Sequence, residues 1–102
     1  PFRAVSGGTD DPVEVAKSLM DAGYKLYRAD LSAESFVPYH THEEDEVILV
    51  LDGRLKIIVE ETEVVVEEGH LLYVEAKAVH CAKSLDEASA SIVVGFRERR
   101  DL

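Results

Sequence analysis

The feature that most constrains this chain is a rhythm of short apolar runs beginning after residue 23. The runs are YKLYRADL (24–31), SFVPYHTH (35–42), EVILVL (46–51), RLKIIVE (54–60), EVVVEE (63–68), HLLYVE (70–75), VHCAKSL (79–85) and ASIVVGF (90–96). A spacing of about 8 to 12 residues between strands, with turn signals between them, belongs to an all-β sandwich or barrel. The Asp52-Gly53 pair predicts a tight hairpin turn after the third run. One helix is predicted over DPVEVAKSLMDAG (11–23). Asp11 suits its N-cap, Pro12 its first position and Glu14 the third position of a capping box, while Gly23 provides a stop. Val13, Ala16, Leu19 and Met20 are its expected apolar stripe. At 102 residues the chain is expected to be a single domain, 1–102, with an irregular arm (1–10), the helix (11–23) and a β-barrel (24–96).

Several runs are apolar on both faces. In EVILVL, alternation places Ile48 and Val50 with Glu46 and sends Val47, Leu49 and Leu51 the other way, so both faces need cover. One short helix covers part of an outer surface. A homodimer packing sheet against sheet is therefore expected.

Charge narrows the partners. The net charge is −10 and the pI about 4.7, a field that repels phosphate backbones and argues against nucleic acid. Arg97, Arg99 and Arg100 are interleaved with Glu98 and Asp101 and read as a solvated tail. The single cysteine, Cys81, forms no internal disulfide, so nothing calls for an oxidising compartment. No run reaches the roughly 20 apolar residues that span a bilayer. The expectation is a soluble, cytoplasmic protein with no membrane partner.

The four histidines are His40, His42, His70 and His80. His70 reads as a surface or hydrogen-bonded residue. His40 and His42 stand two apart, and side chains at i and i+2 of a strand share a face. Glu46 has the same parity. Two imidazoles and a carboxylate converging on one side suit a divalent transition metal. His80, in a later run among small and apolar residues, is the best candidate for a fourth ligand. HxHxxxE also arises by chance in acidic loops, and Glu43, Glu44 and Asp45 read as a solvated bend. A metal site and a charged loop both remain open from these residues alone.

The stretch His40 to Gly53 resembles the first motif of the cupins: HxH, a short gap, E, six residues, G. His40, His42, Glu46 and Gly53 match it in every gap. The second motif is G, five residues, P, x, G, two residues, H. Gly69 and His80 stand at its separation, with Glu75 in place of the proline and Lys77 in place of the second glycine. His70 occupies a common aspartate position, and Ser84 one where some members carry asparagine. The resemblance spans roughly residues 24–96 and implies a small jelly roll holding one divalent metal per chain through His40, His42, Glu46 and His80. It also implies frequent dimerisation and a metal among iron, manganese, zinc, nickel, cobalt and copper, with open positions for a small-molecule ligand. Glu75 and Lys77 are spaced to pair on the surface.

Similar proteins include metal-dependent dioxygenases, isomerases and decarboxylases, as well as non-catalytic binding or sensing modules. Iron-dependent oxygenation of a small organic molecule is the leading expectation. Isomerase or decarboxylase chemistry needs a proton donor or acceptor at the cavity, for which Tyr39, Tyr73, Arg28 and Lys56 are the candidates. Cys81 follows His80 and is expected to point away from the metal as a small buried residue.

Overall fold

The computed structural model describes residues 1–5 and 8–99. It contains β1 (Phe2–Val5), α1 (Pro12–Asp21), β2 (Lys25–Leu31), β3 (Phe36–His40), β4 (Glu44–Asp52), β5 (Leu55–Val59), β6 (Thr62–Val66), β7 (Leu71–Val74), β8 (His80–Ser84) and β9 (Ala90–Glu98). These strands form two antiparallel sheets, a five-stranded one in the order β1-β7-β4-β9-β2 and a four-stranded one in the order β3-β8-β5-β6. The architecture is an all-β jelly-roll sandwich with one short helix. Ile48, Val50, Leu72, Val74 and Ile92 of the larger sheet meet Leu55, Ile57, Val59 and Val66 of the smaller in one buried cluster. Burying such a side chain contributes about 1.5–3 kcal/mol, and this layer holds the sheets together.

Three expectations are corrected. Residues 2–5, expected within an irregular arm, form β1 and pair with β7 from Phe2↔Val74 to Val5↔Leu71. Their stability comes from completing a sheet edge, which leaves no periodic signature in so short a run. The Asp52-Gly53 turn is not a hairpin, because β4 pairs with β7 and β9 whereas β5 pairs with β6 and β8. The turn instead carries the chain from one sheet to the other. Gly53 sits at φ +83, and a Cβ there would stand 2.7 Å from the Ser89 carbonyl oxygen, so this crossing requires glycine.

The third correction concerns the outer face of β4. Val47 and Leu49 are both fully buried within the single chain. Val47 packs with Leu19 of α1 and with Tyr24, flanked by Val15, Leu26, Leu71 and Tyr73. These positions therefore need no partner subunit. Asp11 caps the helix as expected, its carboxylate accepting the Glu14 N–H at 3.2 Å, but the reciprocal half of the capping box is not formed, because the Asp11 N–H donates to Thr9 Oγ1 at 3.0 Å. Its buried side is Leu19 with the half-buried Pro12, Val15 and Ala16, while Val13 and Met20 of the expected stripe are exposed. Gly95 makes the close packing possible, since a Cβ there would meet Leu26 and Val47 side chains at 2.7 and 2.8 Å.

Candidate metal centre

The inward row of β4, read back from Val50 through Ile48, ends at Glu46 near one end of the sandwich. Glu46 is 6% exposed although charged. Opposite it, on the smaller sheet, His40 of β3 and His80 of β8 are direct cross-strand partners. His42 lies beyond the end of β3, in the connection that crosses to β4. Convergence therefore does not come from a continuous extended strand, as parity alone suggests. It comes from the chain changing sheets between His40 and Glu44, which folds Glu46 back over the histidines.

The ligand-capable atoms of His40, His42 and His80 all lie within 4.8 Å of one another. Two of the rings are locked in tautomer and orientation. His40 Nδ1 stands 2.7 Å from the Pro38 carbonyl oxygen and His80 Nδ1 2.9 Å from that of Ala78. A carbonyl only accepts, so each Nδ1 carries the proton and each Nε2 offers its lone pair. His42 is held differently: its ring meets the edge of Phe96 with centroids 4.9 Å apart.

His80 Nε2 lies 2.7 Å from Glu46 Oε1, and His42 Nε2 lies 4.0 Å from the same oxygen. The shorter approach is not aligned as a hydrogen bond, and both atoms are buried without a partner. Two lone-pair-bearing atoms this close in a buried site call for a cation between them, either a proton or a metal. A metal with bonds of about 2.0–2.2 Å places adjacent donors about 3 Å apart, close to this separation. The donor set of three imidazoles and one carboxylate fits a divalent transition ion.

Proton affinities follow from the same contacts. Burial pulls the His80 imidazolium down, but the nearby Glu46 carboxylate and the Ala78 carbonyl outweigh it and leave the pKa above the ordinary 6.5. At His42 partial burial dominates and, with repulsion from His40 and His80, overcomes the attraction of Glu46, leaving the pKa below 6.5. Metal binding must therefore displace a proton at His80 more than at His42.

The turn before His80 follows a glycine-like path without the glycine, Lys77 standing at φ +69. Its N–H donates to the His42 carbonyl at 2.7 Å, and the Ala78 N–H to the Glu75 carbonyl at 3.2 Å. The expected Glu75–Lys77 pair is not formed; Lys77 Nζ lies instead 4.0 Å from Glu43. Asp45, read from sequence as part of a solvated bend, accepts the Ala76 N–H at 2.8 Å. Unlike Glu46, Asp45 shares no parity with the histidines that would separate it from its exposed neighbours Glu43 and Glu44.

The other candidates lie elsewhere. His70 is not among the clustered histidines. Ser84 is buried and donates to the Ser32 carbonyl. Cys81 is buried opposite Ile58, one step out of phase with His80, as expected. Tyr39 is exposed, Tyr73 packs with Tyr24 on the helix side of the larger sheet, Arg28 lies 3.8 Å from Asp30, and Lys56 3.7 Å from Glu63. Clefts of ≈ 630 and ≈ 510 Å³ near α1 are not lined by any of the three histidines.

A two-sheet jelly roll with three histidines poised to bind a metal at one end is the class that fold and site define. The cupin domain family model matches residues 29–96, more than half of the sequence. The chain belongs to the cupin domain family. Solved structures agree on the fold. An RmlC-like cupin from Shewanella frigidimarina is 16% identical at a TM-score of 0.68, covering 78% of this chain and 69% of its own. A cupin superfamily protein from Desulfitobacterium hafniense is 11% identical at 0.69, covering 97% and 79%. TT1209 from Thermus thermophilus is 27% identical at 0.64, covering 76% and 72%. No curated protein sequence matches this chain at a significant level. No helix among the described residues is long and apolar enough to cross a membrane.

Proposed function

We propose that the chain holds one divalent transition metal through His40, His42, Glu46 and His80, and presents it to a small organic ligand. The observation that carries this is the pair of buried, unpartnered atoms, Glu46 Oε1 and His80 Nε2, 2.7 Å apart beside two further imidazoles. When bound, such an ion supplies Lewis-acid chemistry and, if it is iron, redox chemistry at positions the protein leaves open. The residues of the chain do the rest. Pro38 and Ala78 fix the ring tautomers, Phe96 flanks His42, and the packed layer of Ile48, Val50 and their neighbours keeps water from the buried side. Because that layer fills the interior, the ligand approaches from the half-buried side of His40 and His42.

Oxygenation of a small organic molecule is the reaction class we favour. Tyr73, Arg28 and Lys56 are engaged elsewhere and Tyr39 is exposed, which disfavours isomerisation or decarboxylation using one of them as proton donor. Non-catalytic binding is the second reading, favoured by the filled interior. Metal content after reconstitution, compared between wild type and His42→Ala, tests the site, and equal content in both removes it. Oxygen uptake by the iron-loaded protein with small thiols, diketones and phenols separates the two readings, with no uptake on any compound favouring the binder. We also propose a homodimer, now through the outer face of the smaller sheet, where Phe36 and Val65 are 56% and 46% exposed. Sedimentation showing a monomer at all concentrations rejects that part.

A further inference from the structure

The turn joining β7 to β8 lacks both residues that would stiffen it, having Glu75 where the family motif has proline and Lys77 where it has glycine. Something else must hold it, because it sets the height of His80 above Glu46. Three contacts on this turn lead to the metal centre. The Ala76 N–H donates to Asp45 Oδ1 at 2.8 Å. The neighbouring Lys77 N–H donates to the His42 carbonyl at 2.7 Å. The Ala78 carbonyl accepts from His80 Nδ1 at 2.9 Å. Asp45 itself adjoins Glu46 on β4 and belongs to the opposite sheet from β8. Its side chain is 16% exposed, and Arg99 Nε approaches the same oxygen at 3.4 Å.

We propose that Asp45 is a positioning residue, clasping the β7–β8 turn to β4 so that His42 and His80 keep their spacing to Glu46. The role rests on the metal reading above. A carboxylate accepting a backbone N–H makes a bond roughly twice as strong as a neutral one. It bonds Ala76, between the two positions where the motif proline and glycine are missing. Lys77 can then occupy its left-handed conformation because the turn is fastened on either side of it. Outer partners of metal ligands characteristically change affinity about 10–100-fold when removed.

The test uses Co²⁺ on the full chain. In Asp45→Ala, amide exchange at Ala76 and Lys77 speeds up in the metal-free protein, and the Co²⁺ Kd weakens about 10–100-fold. Asp45→Asn keeps an oxygen acceptor in place and recovers most of that loss. Should Asp45→Ala not fold, Asp45→Ser, too short to reach the turn, carries the same expectation. A purely structural residue lowers the melting temperature and leaves the Co²⁺ Kd of the folded protein unchanged. That result, or unaltered exchange at Ala76, overturns this inference while wild type still binds. A wild-type chain that takes up no Co²⁺ removes the metal reading itself, and the positioning role with it.

Discussion

Glu46→Gln is the most informative single change, because it preserves shape and removes the charge that makes the centre. Glu46 is nearly fully buried with Oε1 lacking a hydrogen-bond partner. In the metal-free protein it faces His80, whose pKa is raised above 6.5. A raised pKa in the folded state stabilises below the unfolded value, and that contribution is lost as pH rises through the folded value. Wild-type protein without metal should therefore lose stability toward alkaline pH as the His80 proton leaves. Glu46→Gln should show less of that loss and should match or exceed wild type in alkaline buffer, where it spares a buried unpaired charge.

With metal the order reverses. At a metal concentration 100 times its Kd, binding stabilises wild type by about 2.7 kcal/mol. If Glu46 is a fourth ligand as proposed, its loss weakens binding on the order of 100-fold, about 2.7 kcal/mol, leaving the variant about 0.4 kcal/mol from the same metal. At roughly 4–8 °C per kcal/mol for a domain this size, wild type should gain about 10–20 °C and the variant about 2–3 °C. Thermal melts with chelator and with added Zn²⁺, across pH, measure both effects. Equal metal-induced gains in the two proteins would refute the reasoning.

Other expectations follow from single positions. In metal-free protein, NMR titration should place His42 below and His80 above 6.5, and both should cease to titrate once metal is bound; the reverse order would contradict the burial argument. Lys77→Gly relieves a left-handed conformation that costs a side-chain-bearing residue about 1–2 kcal/mol, so chemical denaturation should show a small gain in stability rather than a loss. Gly53→Ala should cost on the order of 1–3 kcal/mol, since its Cβ would press on the Ser89 carbonyl. Ile57→Ala, at 0% exposure, should cost about 2–5 kcal/mol by the same assay.

Much of the candidate site was legible because its parts are spaced along the chain. His40, His42, Glu46 and Gly53 keep fixed gaps, and strand alternation correctly turned Glu46 inward with Ile48 and Val50. How they converge was not legible. His42 lies in a connection between sheets, and no local pattern tells a crossing from a continuing strand. The same blindness made Asp52-Gly53 look like a hairpin: a two-residue turn encodes a reversal, not the sheet the next strand joins. Alternation places Val47 and Leu49 on the second face but does not reveal that the same chain buries both of them. Their cover comes from Leu19 and Tyr24 in Val47's case, residues distant in sequence. Asp45 was hidden among other acids, its partner a backbone N–H 31 positions away.

The central claim is that four side chains from two sheets share one ion. Anomalous diffraction from crystals grown with Co²⁺ tests it most directly. The expected result is one peak per chain, about 2.0–2.2 Å from His40, His42 and His80 nitrogens and from a Glu46 oxygen. No peak among these residues, or a peak held without Glu46 and His80, would contradict the account.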